Sequence, residues 1–247
     1  MKVLDLFSGI GGFSLGLENA GFETVAFVEN NKSCQRVLKK HWSVPIYDDV
    51  KDVTFNKGFA DLICGGFPCQ DISLAGKGEG LDGERSGLWF EFHRLIKEVR
   101  PKYIIAENVS ALRTRGLDKV LMSLMEIGYA AEWHCIPAST IGAPHKRDRI
   151  WIIGYTNDIA SIQKDSPIMS SRIIREAWES NSWGHWRQVS GNNRVIPKSI
   201  SVGVDDGIPF RMDRMKQLGN AIVPKIAEII GKEIIELDRR ISASVRS

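Results

Sequence analysis

VLDLFSGIGGFSLGLENA, residues 3–20, is the stretch whose reading decides the fold. A short apolar run, VLDLF, breaks into SGIGGFS, after which Phe13, Leu17 and Ala20 recur at helical spacing until Gly21 closes the pattern. The order is strand, glycine turn, helix. Gly9, Gly11 and Gly12 let the backbone turn tightly and approach a ligand closely. The match to G-x-G-x-x-G is incomplete, because Ser14 stands in the third glycine's place. Taken alone, such a turn reads equally as plain turn chemistry and as a ligand site.

The next elements repeat the alternation. Residues 24–28 form a second apolar run ending on Glu29, followed by a mostly polar helix over residues 31–40. Further strands are expected at residues 44–47, 61–65, 103–107, 130–136 and 150–154. Helices are expected at residues 86–100, with Leu88, Phe92, Leu95 and Val99 on one face, and at 117–127. Ser86 suits the N-cap of the first and Pro101 its stop. This alternation predicts an α/β, doubly wound, parallel sheet with ligands at the carboxyl ends of its strands. Residues 156–207 break the pattern, with Ser, Asn, Trp and Arg in irregular order, and helical spacing returns from Ala221 through Ile222, Ile226, Ile230, Ile234 and Leu237.

A chain of 247 residues can bury a full core, and one main domain is expected. With 43% hydrophobic and 26% charged residues, it has the composition of an ordinary globular protein. A net charge of +3 is too small to argue for a polyanion partner, so any such case rests on local clusters. Cys34, Cys64, Cys69 and Cys135 show no CxxC spacing, which speaks against structural zinc and a disulfide framework and fits a reducing cytoplasm. No apolar run has the length of a signal peptide core or a membrane span.

Acids and one thiol stand at the strand ends. Glu29 lies about 20 residues past the glycine turn, where an acid accepts from ribose hydroxyls. Asp49 reads either as an acceptor for an adenine amino group or as a solvated turn acid in YDDVKD. Cys69 follows the fourth strand in GGFPCQ, whereas Cys64 and Cys135 lie inside apolar runs and read as inert core. Glu107 ends the next strand, YIIAE, where partial desolvation raises a carboxyl pKa so that it holds a proton; the plainer reading is a helix cap or surface acid. Arg147 and Arg149 in HKRDR would lower a thiol pKa and bind phosphate or a base carbonyl, or form a solvated basic turn.

DLFSGIGGF, FVEN, GGFPCQDIS, ENV, HKRDRIWIIG and QLGNAIVP occur in the order and context of the cytosine-C5 DNA methyltransferases, and the chain resembles that family outside residues 156–207. The resemblance implies the class I S-adenosylmethionine-dependent methyltransferase fold, mostly parallel. It divides the chain into a catalytic and cofactor-binding domain (1–155), a short target-recognition region (156–210) and a C-terminal segment packing back on the catalytic domain (211–247). It implies S-adenosylmethionine as cofactor, held by Phe7, Ser8, Gly9, Ile10, Gly11 and Gly12, by Glu29 with Asn30 and Asp49 with Val50, by Pro68 near the sulfonium, and by Asn220 and Ile222 in a last motif shared with Gln217 and Gly219. Cys69 matches the family's nucleophile, Glu107 and Asn108 its ENV pair, and Arg147 and Arg149 its phosphate- and base-contacting arginines.

The implied activity is a DNA (cytosine-5)-methyltransferase of bacterial or phage type, a cytoplasmic monomer acting on double-stranded DNA, with a cognate restriction endonuclease encoded nearby. The chain departs from the family in His145 for the usual glutamine, in Asp71 and Ile72 after PCQ, and in a recognition region of only about fifty residues. Residues 70–80 read as a lid over a flipped base, Lys77 and Lys146 as backbone contacts, and Arg172, Arg175, Trp178, Trp183, Trp186, Arg187 and Arg194 as groove contacts or a small tryptophan core with solvated arginines. Rival readings are a transfer RNA methyltransferase, a non-catalytic homologue, and an NAD-dependent oxidoreductase that would have no use for Pro68 and Cys69 beside Glu107.

Overall fold

The computed structural model describes residues 1–68, 87–141, 147–162, 167–169, 186–189, 194–197 and 221–244. At its centre lies β1 (Lys2–Leu6), whose Val3, Leu4 and Leu6 are wholly buried, as expected of a strand covered on both faces. It pairs in parallel with β2 (Glu23–Val28) on one side and β4 (Leu62–Gly66) on the other. β3 (Ile46–Tyr47), β5 (Tyr103–Val109), β6 (Tyr129–Pro137) and β7 (Asp148–Thr156) complete a seven-stranded sheet in the order β3-β2-β1-β4-β5-β7-β6. The strand order therefore reverses between β1 and β4, and the crevice outside their carboxyl ends is where such a sheet binds ligands.

The sheet is not parallel throughout. β7 runs antiparallel to both β5 and β6. The link from Pro137 to Asp148 is too short for a full crossover helix, its described residues form a 3₁₀ turn at Ala138–Ile141, and the chain doubles back. The start of β7 is thereby carried to the edge where β1, β4 and β5 end.

Side chains alternate strictly between two layers. Leu4, Leu6, Ile63, Ile104 and Ala106 pack with α3 (Gly87–Val99) and α5 (Leu117–Glu126), while Val3, Leu62, Cys64, Ile105 and Trp151 pack with α1 (Gly12–Ala20) and the C-terminal helix α7 (Pro224–Ser244). Close approach of α1 and α7 depends on small residues: a Cβ on Gly16 would fall 2.1 Å from the Pro224 carbonyl oxygen. The helix α2 (Lys32–His41) starts at Asn31, whose side chain accepts from the Ser33 and Cys34 amides. Short helices α4 (Leu112–Arg115) and α6 (Asn157–Ile162) fill connections.

The sequence reading and the structure differ in three places. Cys135, expected in the core, is exposed, because β6 is the outer strand and Trp133 and Cys135 alternate to its open side. Residues 156–210, read as irregular, contain α6 and a hairpin of β8 (Trp186–Val189) and β9 (Arg194–Pro197), two short runs separated by SGNN. The segment also has an anchor: both oxygens of Glu132 on β6 accept backbone amides, from Ile168 at 2.8 Å and Met169 at 2.9 Å, and both of these residues are buried. Finally, α7 continues well past the point where its apolar spacing fades.

Candidate active site

Four chain segments meet at the crevice. The first is the glycine turn after β1, which coils through positive φ at Phe7 (52°), Gly9 (55°) and Gly11 (85°). Gly11 must be glycine on two counts, because a Cβ there would also lie 2.7 Å from the Trp42 ring. It begins α1 without a side-chain cap from Gly11, and the Ser14 amide in the first turn bears on the Asp5 carboxyl. A Cβ on Gly12 would press on Ile222, which leads into α7.

Glu29, at the end of β2, reaches across to this turn. Gly9 donates its amide to Oε2 and Asn31 donates to Oε1, both at 2.7 Å. The acid is 8% exposed, and each oxygen keeps acceptor capacity for a further donor such as a ribose hydroxyl. Asn30 is exposed beside it, Val50 is buried, and Asp49 accepts the Lys51 amide at 3.0 Å, the turn role that its plainer reading gives it.

The third segment follows β4. Gly66 pairs in register with Glu107 on β5, and a Cβ on Gly66 would come within 3.1 Å of Glu107 Oε2, so the glycine makes room for the acid. Phe67 is buried and Pro68 half-buried. Asn108, 2% exposed, donates from Nδ2 to the Phe67 carbonyl at 3.1 Å and so fixes the chain immediately before Pro68. Cys69 and the lid at residues 70–80 lie outside the described residues, as do Lys77, His145, Lys146, Gln217, Gly219 and Asn220. Of the groove candidates, Arg172, Arg175, Trp178 and Trp183 lie outside them too, while Trp186, Arg187 and Arg194 belong to the β8–β9 backbone.

Glu107 and the arginines form the fourth part. Reversal of β7 sets Arg149 opposite Val109, and its Nε lies 2.9 Å from Glu107 Oε1. The pair is close but poorly aligned: Oε1 takes no proper hydrogen bond. Burial pushes the Glu107 carboxyl up to about 7, against the opposing charges of Arg149 and Arg147. Arg147, at a φ of 30°, donates from Nη2 to the Ala221 carbonyl at 2.7 Å and ties the start of β7 to the approach of α7; burial holds its pKa below the usual arginine range, and Arg149 beside it acts the same way.

A cleft of about 670 Å³ opens between these parts, lined by Ile10, Gly11 and Gly12 from the turn, by Arg147 and Arg149, and by Ile222. The structure therefore gathers the glycine turn, the arginines and the segment before α7 around one space, with Glu107 beside it through Arg149. Two residues escaped the sequence reading. Gly66 could have been found as a second glycine inside a strand pattern, and Asp5 as an acid inside an apolar run.

The chain matches the family of C-5 cytosine-specific DNA methylases over residues 1–194. It is 38% identical over 189 residues to the type II methyltransferase M.PspPI of Psychrobacter sp. (strain TA137), covering 71% of this chain and 45% of that protein. It is 33% identical over 184 residues to the type II methyltransferase M.HhaI of Haemophilus parahaemolyticus, covering 71% of this chain and 56% of that protein. The chain thus spans about half the length of the curated relatives it matches. A solved E. coli protein, described as a DNA modification methyltransferase encoded within a prophage, superposes with a TM-score of 0.63 at 21% identity over 97% of this chain and 99% of its own. That last likeness is one of fold.

Proposed function

We propose, for a chain that belongs to the C-5 cytosine-specific DNA methylase family, that it transfers a methyl group from S-adenosylmethionine to carbon 5 of a cytosine flipped out of double-stranded DNA at a specific sequence. Its sheet is that of the class I S-adenosylmethionine-dependent methyltransferases. The observation that carries the reading is Glu107, a buried carboxyl near pKa 7 held against Arg149, one strand away from the chain that enters Pro68 and Cys69.

The family implies S-adenosylmethionine, and the residues present suit it. A Cβ on Gly9 would meet nothing within 4 Å, so open space stands beside the turn, α1 begins after Gly11 without a side-chain cap, and Glu29 retains acceptor capacity. Residues 7–12, Glu29 and Ile222 would hold the cofactor, with Asp49 toward its adenine. Bound there, its sulfonium supplies an electrophilic methyl group.

Carbon 5 of cytosine is a weak nucleophile, and the protein's own groups must activate it. Cys69, following Pro68, would add as thiolate to carbon 6, forming the Sγ–C6 bond while the ring electrons move toward N3. Glu107, whose raised pKa of about 7 keeps a substantial fraction protonated at neutral pH, delivers that proton to N3 and neutralises the charge, a contribution of about 10²–10⁴ in rate. Carbon 5 of the resulting enamine would then be the nucleophile for the methyl group that S-adenosylmethionine supplies, the methyl–sulfur bond breaking as the carbon–carbon bond forms. Loss of the carbon 5 proton to a base then breaks the Sγ–C6 bond, the thiolate leaves, and N3 returns its proton to Glu107. Arg149 orients Glu107, and Asn108 holds the segment bearing the nucleophile. Flipping the base costs a few kcal/mol, which contacts from the arginines and the lid would offset.

The division into catalytic domain, recognition region (156–210) and returning C-terminal segment (211–247) belongs to the same proposal, as do a monomeric state, a cytoplasmic location and a cognate endonuclease; the last is supported by the type II names of the relatives. Among the described residues no helix is long and apolar enough to cross a membrane. Labelled methyl transfer to duplex DNA and to transfer RNA, followed by bisulfite sequencing of DNA from expressing cells, tests the reading. Transfer to DNA alone is expected, and Cys69→Ala should abolish it while S-adenosylhomocysteine still binds. Turnover in that variant would remove the central claim.

A further inference from the structure

Asp5 is an acid in the middle of the central strand, 0% exposed, on the face that packs against α1 and α7. Nothing in the methyl-transfer chemistry uses it, and an isolated carboxyl buried there costs stability. Its polar contacts lead to the glycine turn and to Cys64 on β4. Ser14, also wholly buried, donates its Oγ hydrogen to Asp5 Oδ2 at 2.8 Å. Ser8 donates its Oγ hydrogen to the Asp5 backbone carbonyl at 2.7 Å. Oδ1 has no hydrogen-bond partner among the described residues, and Cys64, its register partner on β4, bears on the same carboxyl. One residue therefore grips the turn at both ends, at Ser8 where it leaves β1 and at Ser14 in the first turn of α1. Among the described residues α1 has no side-chain cap hydrogen bond at its N-cap, which is a bare glycine.

We propose that Asp5 is the positioning residue of the glycine turn, its carbonyl holding Ser8 and its carboxyl holding Ser14, so that the backbone of residues 9–12 keeps the shape that receives the cofactor. The proposal rests on the S-adenosylmethionine reading above. It accounts for the serine found where a G-x-G-x-x-G pattern places its third glycine: the hydroxyl is the handle by which the strand holds the helix. Burial raises the Asp5 carboxyl to about 7, with the charge of Glu29 acting in the same direction and Ser14 and Cys64 opposing it, so the group that holds Ser14 is largely protonated below neutral pH. An acceptor oxygen is what the clamp needs, and a negative charge is not.

Titration calorimetry of the full chain with S-adenosylhomocysteine, alongside steady-state kinetics, tests the clamp. Ser14→Ala should weaken binding about tenfold and raise the KM for the cofactor, with kcat at saturation and the KM for DNA unchanged. Asp5→Asn keeps an acceptor for Ser14 and should bind within about twofold of the unaltered chain. It should also flatten the loss of stability that the unaltered chain shows as pH rises from about 4 to 7, where the folded state alone keeps the Asp5 proton. A merely structural pair would lower the melting temperature and leave the affinity of the folded protein alone. Unchanged binding by Ser14→Ala overturns the proposal, and so does Asp5→Asn losing as much affinity as Ser14→Ala. If the unaltered chain binds no S-adenosylhomocysteine, the cofactor reading fails and the clamp with it; if it binds and Ser14→Ala binds equally well, the clamp alone fails.

Discussion

Two glutamates, one just after β2 and one on β5, are nearly equally buried at 8% and 7% exposure, and their surroundings differ in one respect. Glu29, beside the glycine turn, is satisfied, with one short backbone amide on each oxygen. Glu107 at the base end is not: Oε1 has only the misaligned Arg149 beside it. Burial by itself does not assign a role to an acid. A carboxyl that accepts amides holds backbone in place, whereas one that is desolvated without sufficient donors has its pKa raised, and on the proposed function this difference separates a binding half of the crevice from a proton-carrying half.

The sharpest way to break this comparison is to exchange the acids for their amides. Glu107→Gln should lower single-turnover methyl transfer by about 10²–10⁴ with S-adenosylhomocysteine affinity unchanged. A loss smaller than about tenfold would show that the base-end acid carries no proton in the reaction. Next in size is a pH effect on stability. The folded pKa of Glu107 lies above its unfolded value, so the folded state binds the extra proton, and stability falls as pH rises from 4.5 to about 7. Denaturant melts should show Glu107→Gln losing that slope, of order 1–3 kcal/mol. An unaltered slope would assign the titration to another buried group such as Asp5.

At the other end, Glu29→Ala should weaken S-adenosylhomocysteine about 10- to 100-fold and leave the chain folded, since it removes the acceptor of the Gly9 amide. Unchanged affinity by calorimetry would refute the binding role. The smallest effect expected is Gly66→Ala, which pushes a methyl to about 3.1 Å from Glu107 Oε2 and should slow transfer several-fold without touching cofactor affinity. If cofactor affinity falls instead, the two halves are coupled through β4.

Much of this was legible in the chain. The strand–turn–helix of residues 3–20 and the acids at strand ends stand where the alternation puts them, because period and glycine punctuation are local properties. Cys135 and the β8–β9 hairpin were not, since whether a strand lies at a sheet edge, or two short runs pair, depends on distant partners.

The sequence by itself determined which residue types stand at which strand ends: glycines after β1, an acid after β2 and on β5, and a cysteine after β4. Tertiary structure alone decided how they meet. The short link before Asp148 turns β7 around, and this reversal brings Arg149 onto Glu107. Packing of both sheet faces strips water from Glu107 and Asp5 and leaves Glu29 its amides. Local pattern carries no information about solvent exclusion or strand direction, and these two quantities set how the environments of the two acids differ.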